Sequence, residues 1–122
     1  MNIAVIGLGK IGLPLAVHFS RSGHQVTGVD IDKRVVDLVR RGVEPFPGEA
    51  HLSGYLSAAV KEGLLAATDD YSAAIPEADV VVVVVPLFID SAGSPDFGWM
   101  DSASRSIGEN LASDTLVIYE TT

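Results

Sequence analysis

The chain has 122 residues, no cysteine and a formal net charge of −8, which is length enough for one domain with its own core. Hydrophobic residues make up 48% and charged residues 20%, which excludes a disordered chain, and the missing cysteines exclude a disulfide framework and a thiolate metal site. Half of the eight basic residues are Lys33, Arg34, Arg40 and Arg41, and beyond Lys61 only Arg105 is positive against eleven carboxylates; such a surface repels a polyanion, so nucleic acid is not an expected partner.

Residues 2–6, NIAVI, are short, apolar and end at a glycine, predicting a first strand. Ile11, Leu15 and Phe19 then recur every four residues with Ala16 beside them, predicting an amphipathic helix over residues 10–22 that stops at Gly23. Pro14 falls in its first turn, where little hydrogen bonding is lost. HQVTGVD reads as a second strand, and Asp32 as the N-cap of a second helix with Gly42 as its stop. Residues 43–54 carry Pro45, Pro47, Gly48 and Gly54 without periodicity and read as a connecting segment. YLSAAVKEGLL is then a short helix, LAAT a third strand, and DDYSAAIPEAD a short helix or turn.

Six consecutive valines, residues 80–85, do not alternate, as expected of a parallel strand covered on both faces. A loop from Pro86 to Trp99 follows, then a helix from about Met100 to Leu111, then TLVIYE as a fifth strand. The alternation of strand and helix predicts an α/β, doubly wound parallel sheet, and a chain that stops two residues after its fifth strand looks cut from something longer. The longest apolar run, residues 80–87, is far too short to span a bilayer. The N-terminus reads directly as a strand, without a signal segment ahead of it, so the expected location is cytoplasmic with no membrane partner.

Gly7, Gly9 and Gly12 form G-x-G-x-x-G between the first strand and the first helix, and Asp30 follows at the end of the second strand, 18 residues beyond Gly12. Gly7 allows the sharp turn, Gly9 a close approach of pyrophosphate to the backbone, and Gly12 tight helix packing. The helix N-terminus offers free N–H groups and a partial positive charge to phosphates, so the candidate cradle is the loop Gly7, Leu8, Gly9, Lys10, Ile11 and Gly12. Asp30 can accept hydrogen bonds from both ribose hydroxyls and would repel a 2′-phosphate, favouring NAD over NADP. Lys33 and Arg34 either lean toward a 2′-phosphate or form a solvated first helical turn. His18, His24 and His51 share no metal-ligand spacing, and no metal site is expected. Phe88, Phe97 and Trp99 either offer a surface to a ligand or pin their loop to the domain. Because that loop leaves the C-terminal end of a central strand, Pro86 and Leu87 are candidates to line a cofactor cleft.

Taken together, IAVIGLGKIGLPLA, GHQVTGVDID, ADVVVVVVP, PDFGWMDSASRSI and LVIYETT resemble the N-terminal NAD-binding domain of the UDP-glucose/GDP-mannose dehydrogenase family over essentially the entire chain. The phrasing is similar to the branch acting on UDP-N-acetylated sugars such as UDP-N-acetylmannosamine. The resemblance implies oxidation of a sugar C6 alcohol to a carboxylate in two hydride transfers with two NAD. It also implies a cysteine that holds the intermediate outside this domain, a nucleotide-sugar substrate bound mainly by other domains, and a homodimer for the intact enzyme. By itself a chain of residues 1–122 would then bind NAD without turnover. Val85, Pro86 and Leu87 occupy the place of the family's V-P-T near the nicotinamide half, with Leu87 replacing the usual threonine. Glu120, Thr121 and Thr122 stand where the family has E-S-T or K-S-T; the resemblance assigns Thr121 to cofactor contact and Thr122 to positioning the hydrolytic water. The family's basic residue five positions after the ribose acid is Val35 here. Two other readings share the glycine string. One is a β-hydroxyacid dehydrogenase cofactor domain, whose GLGxMGxPMA has methionines where this chain has Ile11 and Leu15; the other is a non-catalytic nucleotide-sensing module.

Overall fold

The computed structural model describes residues 1–120. Among them are the strands β1 (Asn2–Ile6), β2 (Gln25–Val29), β3 (Leu65–Thr68), β4 (Val80–Val83), β5 (Phe88–Ile89), β6 (Pro95–Asp96) and β7 (Leu116–Tyr119). The helices are α1 (Gly12–Arg21), α2 (Lys33–Arg40), α3 (Leu52–Lys61), α4 (Tyr71–Ala74) and α5 (Gly98–Asn110). Five strands form one parallel sheet in the order β3-β2-β1-β4-β7. No helix among the described residues is long and apolar enough to cross a membrane.

Side-chain alternation along each strand divides the core in two. Ile3, Val5, Val26, Leu65, Ala67 and Val82 face one cluster, which the apolar stripes of α1, α2 and α3 complete with Leu13, Val17, Val36, Val39 and Leu56. Ala4, Ile6, Val29, Val81 and Val83 face the other, covered by Ile75 and Ala78 after α4 and by Ala103 and Ile107 of α5. The valine run is thereby explained. β4 lies between β1 and β7, with Val82 feeding one layer while Val81 and Val83 feed the other, so neither face of the strand is wet.

The chain builds β1, β2 and β3 outward in one direction, then returns to lay β4 on the far side of β1. That reversal parts the loops after β1 and β4 and leaves a crevice between them, at the carboxyl ends of the strands.

Several boundaries differ from those expected. α1 starts at Gly12 instead of Lys10, because the glycine loop runs on through Ile11. α3 starts at Leu52: His51 takes a left-handed φ of 64°, and Leu52, Leu56 and Ala59 then repeat on one buried face, so Gly54 lies inside a helix and not in a linker. β4 ends at Val83, two valines before the run does, and α5 begins at Gly98. The loop expected over residues 86–99 contains an antiparallel hairpin, β5 with β6, pairing Phe88 with Asp96 and Ile89 with Pro95. Its turn is held by Asp90, whose Oδ1 accepts from the N–H groups of Ala92 and Ser94 at 2.9 Å each. An aspartate that folds its side chain onto the following backbone makes a turn without an Asn-Gly pair. Phe88 and Trp99 meet edge to face, with ring centroids 5.2 Å apart, which ties the hairpin to the start of α5.

Candidate functional site

The crevice beside β1 is a cleft of about 950 Å³, within the size range of small-molecule sites. Gly7, Gly9, Lys10, Ile11, Gly12, Asp30, Val85, Pro86 and Leu87 all line it. Leu8 does not; its side chain is fully buried in the α1 layer. Thr121 and Thr122 lie outside the described residues.

The three motif glycines differ in what a side chain would meet. Gly7 has a φ of +96°, and a Cβ there would sit 2.8 Å from the carbonyl oxygen of Val84 on the neighbouring strand. A Cβ on Gly12 would collide with the carbonyl of Gly7, so this glycine closes the loop on itself as much as it seats the helix. Around Gly9 there is nothing within 4 Å of the Cβ position. The fold leaves that space open, and it faces the cleft where the first N–H groups of α1 have no intrahelical partner.

Asp30 is held from two sides. Its Oδ2 accepts from the Leu8 N–H at 2.8 Å, and its Oδ1 from the Asp32 N–H at 2.9 Å. Its own N–H donates to the Thr68 carbonyl at 3.1 Å across the β2–β3 pair. Each carboxylate oxygen therefore keeps acceptor capacity for hydroxyl groups in the cleft. Asp32, two residues on, caps α2 by accepting from the Arg34 N–H at 2.9 Å. Lys33 and Arg34 are exposed in the first turn of α2, between the lining residues Asp32 and Val35, and do not themselves line the cleft. The charged residues lining the cleft are Lys10, Asp30, Asp32 and Glu120.

Opening beside Asp30 is a smaller recess of about 370 Å³, lined by Ile31, Tyr71, Pro86, Trp99 and Ser102 among others. Ile31 is 66% exposed at its rim, an apolar side chain available to a flat ring. Burial, followed by the negative charge of Asp30, raises the Tyr71 phenol above its ordinary value.

Sequence reasoning missed Phe46, which lies in the segment read as a connector, packs against the α1 layer and reaches the cleft. A lone aromatic between Pro45 and Pro47 was the available signal. It also missed Gly28, whose importance depends on a contact 20 residues away in sequence, with Leu8.

The residues fit a dinucleotide. Gly9 leaves room for a diphosphate beside the N-terminus of α1, and Asp30 presents acceptors at the end of the neighbouring strand for a ribose. When bound, NAD supplies a nicotinamide ring that accepts hydride. The glycine loop and Asp30 are the groups that would hold its diphosphate and a ribose, and Val85, Pro86 and Leu87 line the cleft just beyond β4.

Over residues 1–122 the chain matches the family described as UDP-glucose/GDP-mannose dehydrogenase family, NAD binding domain. It is 41% identical over 121 residues to the UDP-N-acetyl-D-mannosamine dehydrogenase of Escherichia coli K12, covering 99% of this chain and 28% of that protein. It is 31% identical over 122 residues to the UDP-glucose 6-dehydrogenase YwqF of Bacillus subtilis, again covering 28% of the relative. A crystal structure of GDP-mannose dehydrogenase from Pseudomonas aeruginosa superposes on the whole chain with a TM-score of 0.94 at 30% identity. That of a UDP-D-ManNAc dehydrogenase from Pyrococcus horikoshii gives 0.94 at 33%, and this chain covers 28% of each. The chain thus spans under a third of the length of each of these relatives. It belongs to the UDP-glucose/GDP-mannose dehydrogenase family, of which it forms the NAD-binding domain.

Proposed function

We propose that this domain serves a nucleotide-sugar 6-dehydrogenase, holding NAD while the C6 alcohol of a UDP- or GDP-sugar is oxidised to a carboxylate in two hydride transfers. The observation that carries the reading is Asp30, fixed by the Leu8 and Asp32 amides and lining the same cleft as the open space at Gly9. Of the possible sugars, UDP-N-acetylated ones such as UDP-N-acetylmannosamine are preferred, since relatives of that name reach 41% identity. The cofactor contacts proposed are the backbone of Gly7, Gly9, Lys10, Ile11 and Gly12, the Asp30 carboxylate, and Val85, Pro86 and Leu87. Leu8 acts through its amide on Asp30, and Thr121 and Thr122 extend the site as cofactor contact and water-positioning residue. Residues 1–122 form one domain, with sugar binding, the nucleophile and homodimer contacts supplied by other domains of the same enzyme. A cytoplasmic setting completes the reading.

Calorimetric titration tests the cofactor half. NAD should bind at a single site and NADP more weakly, and equal affinity for the two would remove Asp30 from the ribose. The substrate half is tested by adding UDP-N-acetylmannosamine and NAD to the intact enzyme and following NADH. Two NADH per sugar oxidised is expected, and one would refute the two-step oxidation.

A further inference from the structure

We infer that Gly28, a buried residue of β2 outside the cleft lining, is a positioning residue for the cofactor acid Asp30, acting through the side chain of Leu8. The inference rests on the NAD-binding reading above. A Cβ at Gly28 would lie 2.6 and 2.7 Å from the two Cδ atoms of Leu8 and 3.1 Å from its Cγ. The isobutyl group of Leu8 occupies the volume that any other residue at position 28 would fill.

The contact matters because of what the other end of Leu8 does. Its N–H donates to Asp30 Oδ2 at 2.8 Å, while its side chain is 0% exposed in the core layer beneath α1. One residue therefore plugs into the strand at Gly28 and grips the carboxylate two residues farther along the same strand. The strand and the glycine loop are also joined by the Gly7 N–H donating to the Val29 carbonyl at 2.8 Å. Together these contacts set the height of the loop above the strand end, and so the orientation of the acceptors that Asp30 turns to the cleft.

A methyl group at position 28 displaces the Leu8 isobutyl group, since β2 is paired with both β1 and β3, and because that group is fully buried the displacement passes to the Leu8 backbone. The Leu8 N–H then leaves Asp30, and the carboxylate loses the partner that aims it. Ordinary core damage would weaken the binding of NAD and NADP alike. Misaiming Asp30 instead erodes the difference between them, because Asp30 is the acid that this reading sets against the 2′-position.

The experiment combines Gly28→Ala, Leu8→Ala and the double variant with two readouts. These are the ratio of NAD to NADP affinity by calorimetry, and hydrogen exchange at the residue 8 amide in the ligand-free protein. Gly28→Ala should lower the ratio by about fivefold or more and speed exchange at residue 8 to a similar degree, as expected for contacting, coupled residues. The double variant, with space restored for the new methyl group, should recover both toward the wild-type values. A ratio and an exchange rate unchanged in Gly28→Ala, or no recovery in the double variant, would overturn the inference. If Gly28→Ala does not fold, Leu8→Ala decides: it keeps the amide and removes the plug, so faster residue 8 exchange is expected and unchanged exchange overturns the inference. A wild-type protein that showed the expected exchange pattern yet bound no NAD would refute the cofactor reading and leave the Gly28–Leu8 contact standing.

Discussion

Asp30 has two tasks in this structure, and two substitutions separate them. It staples the glycine loop through Leu8 and the start of α2 through Asp32, at 2.8 and 2.9 Å. It also presents free acceptor positions to the cleft. Asp30→Ala removes both: the part-buried Leu8 amide loses its partner, which costs about 1–3 kcal/mol of stability for an orphaned donor. Asp30→Asn keeps one oxygen, enough for the Leu8 amide, while the exposed Asp32 amide turns to water, so stability should stay within about 1 kcal/mol of wild type. The charge is nevertheless gone. Ribose hydrogen bonds to a carboxylate contribute about 1.5–3 kcal/mol, so Asp30→Asn should bind NAD roughly 10- to 150-fold more weakly. NADP affinity should hold or rise, since repulsion of a 2′-phosphate has been removed. Calorimetry with both dinucleotides, beside urea denaturation of each variant, gives the affinities and stabilities required. If Asp30→Asn binds NAD as wild type does while Asp30→Ala is merely less stable, Asp30 is a loop staple and the ribose assignment is wrong.

Gly9→Val should leave thermal stability nearly unchanged, because a Cβ there meets nothing within 4 Å, yet abolish NAD binding by filling the diphosphate space; retained binding would place the phosphates elsewhere. Gly12→Ala should behave oppositely, losing stability before any question of ligand arises, since its Cβ runs into the Gly7 carbonyl. A Gly12→Ala protein as stable as wild type in urea would contradict the loop geometry. Tyr71 gives a pH prediction. Its phenol is raised in the folded protein by burial and by Asp30, so its stabilising contribution is complete below the ordinary tyrosine value of about 10 and is lost as pH rises through the folded value. Tyr71→Phe should lose less stability than wild type between about pH 9 and 11, and parallel urea curves for the two proteins across that interval would refute it.

The sheet was legible because its signals are local and redundant. Residues 2–6 and LAAT each name a strand by composition, and β1 and β3 occupy those residues in the structure. Asp32 names its helix by cap chemistry, confirmed by its bond to the Arg34 amide. What stayed hidden was decided by tertiary contacts. Gly54 looks like a linker residue, but Leu52, Leu56 and Ala59 bury a face against α1 and β3, and that packing carries the helix through the glycine. The β5–β6 hairpin depends on Asp90 bonding two amides ahead of it, a turn with no fixed dipeptide to announce it. Phe46 reaches the cleft because the chain between α2 and α3 folds back over the glycine loop, a path that periodicity does not encode.

The glycine string shows most sharply where pattern and physics part. The motif treats Gly7, Gly9 and Gly12 as equivalent letters, yet Gly7 is demanded by its φ of +96° and the Val84 carbonyl, and Gly12 by the carbonyl of Gly7. Both would be needed in a loop that bound nothing. Gly9 alone has no structural reason to lack a side chain, since the space around its Cβ position is open. The case for a ligand therefore rests on that one position together with an acid whose aim is fixed by backbone amides. Gly28, which belongs to no motif, makes room for the residue that does the fixing. A sequence that kept all three motif glycines and Asp30 but carried a larger residue at 28 would still match the pattern. By the geometry here, it would have lost the discrimination the pattern is taken to signify, unless the residue at position 8 had shrunk to match.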